Sequence, residues 1–134
     1  MHRLIVVVLC LWASIAKAQE VRPLNTGRGW MELYETGQDG DLAALLGSVG
    51  YVAGLADMMT AYVVFERTTE VSESYMSCVG GWDGVQSSAV LYRWLKDHPA
   101  SWQQQTTLLW GEAIREHCGF APFGFVPKIQ GSNP

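Results

Sequence analysis

Leu42-Ala-Ala-Leu-Leu-Gly-Ser-Val-Gly-Tyr-Val-Ala-Gly-Leu-Ala-Asp-Met-Met-Thr-Ala-Tyr-Val-Val-Phe65 is the stretch that decides the fold. Apolar residues recur in it at Leu42, Leu45, Leu46, Val49, Val52, Leu55, Met59, Tyr62 and Val63, which is helical spacing. Asp39 or Asp41 stands ready to cap the start. The segment is apolar nearly all round, so it is expected to be the buried centre of the domain. Gly47, Gly50 and Gly54 weaken it as a helix, each by about 1 kcal/mol relative to alanine, and with Ala53 and Ala56 they let a second helix come close. The Gly50-x-x-x-Gly54 spacing also occurs in membrane-spanning pairs, but Asp57 within the stretch, with Glu66 and Arg67 just beyond, argues for a water-soluble core helix. Asp57 is expected to be buried or half-buried, bonded to a neighbouring helix end.

Working outward from this centre, helical pattern continues on both sides. Residues 29–35 form a short first helix with Trp30, Leu33 and Tyr34 on its apolar side, and Gly37 is expected to end it in a left-handed cap. Downstream, residues 66–77 are charged, hydroxylic and β-branched, an exposed connection leading to Tyr75, Met76 and Cys78. Gly80, Gly81 and Gly84 turn the chain around Trp82. A third helix starts near Ser87 or Ser88 and runs to Asp97 with Val90, Leu91, Trp94 and Leu95 inward, and Pro99 forbids its continuation. A fourth runs over residues 104–117 on a stripe of Leu108, Leu109, Ala113 and Ile114, stopped by Gly119. Trp30, Trp94 and Trp110 belong to the core of these helices. The expected fold is all-α: a small helical domain of about four helices with one disulfide and an irregular C-terminal tail over residues 120–134.

The chain has 134 residues, about half of them apolar, and one domain is the size it supports. Residues 1–18 are set apart: Arg3 opens a positive region, Leu4 to Leu11 is an apolar run, and Ala16-Lys17-Ala18 is a small-x-small cleavage site, together a signal peptide. Leu9 before Cys10 is too large for a lipid-attachment signal. The remaining single domain, 19–134, carries seven bases against thirteen acids, a formal charge of minus 6. An acidic exported domain of this kind is not a nucleic-acid binder, and no membrane association is expected once the signal is removed.

Cys78 and Cys118 are the two cysteines that stay with the domain. Two thiols in an oxidising compartment usually pair, and the bridge here closes a loop of about 40 residues. The alternatives are a reactive thiol or a metal ligand, for which His117 beside Cys118, with His98 upstream, supply partners; their spacing matches no zinc pattern. The catalytic signatures are missing too: no Gly-x-Ser-x-Gly elbow, no phosphate-cradling loop, no His-Glu-x-x-His helix. Ser72, Ser74 or Ser77 with His98 and Asp97 or Asp57 would make a nucleophilic trio only if folding brought them together. His98 reads more simply as a helix C-terminal residue bonding last-turn carbonyls.

The run Gly50-Tyr51-Val52-Ala53-Gly54-Leu55-Ala56-Asp57, then Cys78, then Tyr92-Arg93-Trp94-Leu95-Lys96-Asp97-His98-Pro99, and finally Glu112-Ala113-Ile114 leading to Cys118, resembles the Rap/Tai-type immunity proteins of type VI secretion. The resemblance covers the chain from about Trp30 to Cys118 and is carried by Gly50, Tyr51, Gly54, Asp57, Leu95, His98 and Pro99. It implies a small periplasmic α-helical protein, not an enzyme and without a cofactor, that binds and blocks a peptidoglycan-cleaving amidase toxin delivered by a neighbouring cell. It also implies a homodimer. The family usually has four cysteines; Thr36 or Gly37 and Ser48 stand at the two other places here, so one bridge is missing as a pair, and Cys78 and Cys118 match the bridge that remains.

A binder of this kind needs buried aromatic anchors and a polar rim. Trp82 and Trp102, in loops, are the candidate anchors, and Glu66, Glu70 and Glu73 the charges that steer a basic partner. Two other functions fit the same composition. One is an acid-stress chaperone whose dimer opens as its carboxylates are protonated; the other is an accessory subunit of an envelope complex docked through the Phe-rich tail.

Overall fold

The computed structural model describes residues 24–66 and 69–119. Residues 1–18, where a signal peptide with Cys10 is expected, and the expected tail over residues 120–134 lie outside the described residues. Within them the chain is all-helical, in five helices: α1 (Gly27–Gln38), α2 (Leu42–Glu66), α3 (Thr69–Val79), α4 (Gly84–Asp97) and α5 (Thr106–Cys118), with a 3-10 turn at Pro99–Ser101. The sequence pattern gave four of these; α3 lies where an exposed connection was expected. Its Ser and Thr residues and β-branched Val71 are weak helix formers, but Val71, Tyr75, Cys78 and Val79 share one side of a helix, and packing that side on α2 outweighs propensity.

Helix ends depart from expectation by a turn or less, each for a local reason. Thr26 caps α1, its hydroxyl accepting from Gly29 N–H at 3.2 Å, so the helix starts two residues early. Gly37 does not end it. A Cβ there would come within 2.6 Å of Leu45 backbone atoms, so glycine lets α1 and α2 touch, and the left-handed residue is Gly40, with φ 109°. Asp41 caps α2 by accepting from Ala44 N–H at 3.0 Å. Helix α4 begins at Gly84, ahead of Ser87 and Ser88, because Asp83 and Gln86 form a reciprocal capping box; the two serines are buried. Helix α5 starts at Thr106 and runs one residue further than expected, to Cys118, before the left-handed Gly119.

The core is built on α2, with α1, α3 and α4 packed along it and α5 closing over α4. Trp30, Val52, Met59, Val63, Tyr75, Leu91, Leu95, Leu109, Trp110 and Ile114 are its most buried large side chains. Trp94 is also buried, so all three helical tryptophans lie in the core as the pattern predicted. Trp30 donates its indole N–H to Ser48 C=O at 2.9 Å, pinning α1 to α2. The lead-in is tied to the start of α5: Thr106 N–H donates to Asn25 C=O and the Thr106 hydroxyl to Leu24 C=O, each at 2.8 Å.

Helix α2 is not buried all round. Ala44, Ser48, Val52, Met59 and Val63 point inward at i, i+4 and i+7 spacing, while Leu42, Leu46, Met58, Tyr62, Val64 and Phe65 are exposed. Among the described residues, this helix has packed neighbours on one side only. Asp57 is exposed in the middle of α2 rather than buried, and its charge is felt at the Tyr75 phenol of α3.

Candidate functional site

The two motif pieces are put to different uses. Tyr92 to Pro99 forms the hub that joins α4, the 3-10 turn and α5. Leu95 is fully buried. His98 Nδ1 lies 2.8 Å from Trp94 C=O, which only accepts, so that nitrogen carries the proton. The imidazole stacks on the Trp94 indole with centroids 4.2 Å apart, and its Nε2 faces Glu116 Oε2 at 3.5 Å. Trp94 donates its indole N–H to the same carboxylate at 2.7 Å. Pro99 opens the turn, and Trp102, next in line, donates its indole N–H to Leu95 C=O at 2.7 Å. His98 therefore bonds a last-turn carbonyl as the sequence suggested.

Gly50, Gly54 and Asp57 of the other piece lie on the open side of α2, with Tyr51 half-buried beside them and Val52 buried behind. At Gly50 and Gly54 a Cβ would meet nothing within 4 Å. The close helix approach that these glycines suggested is thus not made within the described chain.

Cys78, at the end of α3, and Cys118, at the end of α5, form the expected disulfide, with Cα atoms 6.0 Å apart. Beside it Trp82 is half-buried, its ring set edge-on to Trp110 at 6.5 Å and to His117 at 5.1 Å. Trp102 is likewise half-buried. Both tryptophans are in connections, as expected, and both are held by the fold while keeping an exposed edge. Glu70 and Glu73 are exposed on α3, and Glu66 is the last residue of α2. Among the described residues no group of His, Cys, Asp and Glu is arranged to hold a metal ion.

A groove of about 690 Å³ between α1 and α4 is the feature that the sequence did not reveal. Tyr34, Glu35 and Gln38 line one side, Tyr92, Arg93 and Lys96 the other. Tyr92 donates its phenol O–H to Glu35 Oε1 at 2.8 Å, and Lys96 Nζ lies 3.5 Å from the same oxygen and 5.6 Å from the Tyr92 ring centre. The hydrogen bond to Glu35, then burial, push the Tyr92 hydroxyl above its ordinary pKa; burial alone does so for Tyr34. Tyr92 and Lys96 are one helical turn apart, which the sequence shows, but Glu35 is 57 residues upstream of Tyr92 and only the packing of α1 on α4 brings it there. None of the known protein families, curated proteins or solved structures matches this chain.

Proposed function

We propose that this protein is an exported binding protein of the immunity type, which works in the periplasm by seating on a peptidoglycan-cleaving amidase toxin and covering its cleft. The observation that carries the reading is the α1–α4 groove. Its Tyr92 is already bonded to Glu35, with the Lys96 ammonium beside them, so Tyr92 and Glu35 have less side-chain freedom to lose on binding. Tyrosine and arginine on a rigid wall, flanked by both signs of charge, are what protein-recognition surfaces are rich in. The hub at Trp94, His98 and Glu116 and the Cys78–Cys118 bridge supply the rigidity. Glu66, Glu70 and Glu73 give the steering charge, and the exposed edges of Trp82 and Trp102 add contact. No catalytic role is assigned to any residue.

The test is capture of exported cell-wall hydrolases of the same strain on the oxidised protein, followed by assay of peptidoglycan cleavage. One amidase captured and inhibited at nanomolar affinity is the expected result, with Tyr92→Ala and Arg93→Ala each weakening inhibition at least tenfold. Failure to inhibit any amidase of the strain refutes the proposal. The chaperone reading has one observation in its favour, the open apolar side of α2; capture of assorted denatured proteins in acid, and of nothing at neutral pH, would replace the immunity reading with it.

A further inference from the structure

Among the described residues, α2 leaves one long apolar face in water. Leu46 is 64%, Met58 53% and Phe65 82% exposed. Between Leu46 and Met58 the face dips at Gly50 and Gly54, where a Cβ would meet nothing within 4 Å. A contiguous apolar face of this kind marks a docking surface. Asp57 is the single charged residue between Leu42 and Phe65, and it stands toward α3, where its charge is felt at Tyr75.

The chain brings an occupant to the border of this face. Tyr75 of α3 reaches Ala56 C=O and the Thr60 hydroxyl, and Gly84, further along, lies against Val49 and Ala53. Cys78 falls between these two contacts, level with the middle of α2. The disulfide holds Cys118 to it, with Cα atoms 6.0 Å apart, so residues 120–134 start one helix away from Gly50 and Gly54. Fully extended they reach about 50 Å, more than the length of about 37 Å that 25 residues give α2. Their composition suits the face. Phe120, Phe123, Phe125, Val126 and Ile129 are side chains that gain by leaving water, and Pro122 and Pro127 have no N–H to satisfy against a helix. Lys128 is their single charged side chain, opposite in sign to Asp57. A segment tethered this close acts at a millimolar effective concentration, which sets it ahead of any untethered occupant in dilute solution.

We propose that residues 120–134 dock as a strap on the open face of α2 of the same chain, the phenylalanine rings seated over Gly50 and Gly54 and Lys128 paired with Asp57. Burial of the rings carries the docking, and the exposed ion pair adds little to it. The inference stands independently of the amidase reading. A bilayer is a competing occupant, since α2 is long and apolar enough to cross one. Its inner side, however, is packed on α1, α3 and α4, and an acidic chain gains nothing from an anionic lipid surface.

Trypsin cleavage after Lys128 in the oxidised full chain, followed by mass spectrometry, tests the proposal. Docking should slow this cut at least tenfold relative to the same cut in a free peptide of residues 120–134. Gly50→Gln/Gly54→Gln fills the dip with polar amides that meet nothing in the described chain and suit a helix. That variant should keep its circular dichroism and be cut nearly as fast as the peptide. Asp57→Asn should speed the cut only about two- to fivefold, the worth of an exposed ion pair. In a second measurement, p-benzoylphenylalanine in place of Phe123 should cross-link to α2 within one chain. A full chain cut as fast as the peptide overturns the proposal, as does protection that survives the glutamines or needs phosphatidylglycerol vesicles. Cross-links to another helix, or between two chains, overturn it equally.

Discussion

Removing the disulfide by Cys78→Ala/Cys118→Ala should lower stability by about 4 kcal/mol, because the bridge spans 40 residues and loop-closure entropy for that length has this size. The loss is large against the roughly 5–15 kcal/mol that holds a domain together. With a urea dependence of about 2 kcal/mol per M, the unfolding midpoint should fall by about 2 M. The bridge joins the last turn of α3 to the end of α5, and α3 otherwise packs mainly on α2 through Tyr75 and Val79. The amides of α3 should therefore lose hydrogen-exchange protection first, ahead of those of α2 and α4. Equilibrium urea unfolding followed by tryptophan fluorescence and by far-ultraviolet circular dichroism makes the comparison. A midpoint shift under about 0.5 M would show that the unbridged chain is already constrained when unfolded, and would refute the entropic argument.

Gly37→Ala should destabilise by about 2–3 kcal/mol, since its Cβ would collide with Leu45 backbone atoms that cannot rotate away; thermal unfolding reads the change. Asp83→Ala removes the capping box of α4 and should cost about 1 kcal/mol, measured as a urea midpoint shift, whereas Asp39→Ala, which caps no helix N-terminus, should be near neutral. Tyr75 and Tyr34 are pushed above their ordinary pKa by burial and Tyr92 chiefly by its bond to Glu35. A folded-state pKa above the unfolded one gives stability that is complete below about pH 10 and lost as pH rises through the raised values, so urea midpoints should fall from about pH 10 upward and Tyr75→Phe should flatten that fall.

The sequence reading of α2, α4 and α5 succeeded because their apolar stripes are long and their ends are marked by Asp41, Pro99 and Gly119. It failed at α3, where residues such as Thr69, Ser72 and Ser74 carry a loop's composition and the helix exists through what Val71, Tyr75 and Val79 bury. It also mistook the sense of the glycines in α2. Gly37 serves the close approach that was assigned to Gly50 and Gly54, because the turn at Gly40 folds α1 back on the start of α2 rather than on its middle.

The candidate site divides along the same line. Tyr92 and Lys96 share a helix face by spacing alone, and Trp94 stacks with His98, the residue four further on that caps the end of α4. Glu35 and Glu116, the carboxylates that each pair needs, come from α1 and α5, and no local pattern connects them to α4. By itself the sequence determined the helical class, the start of α2 and the end of α4, the tryptophan core and the pairing of Cys78 with Cys118, all consequences of short-range periodicity and a count of two. The tertiary structure decided which side of an evenly apolar helix is covered. Periodicity records where apolar side chains point, and only the number and placement of the packed neighbours fixes which of them stay in water.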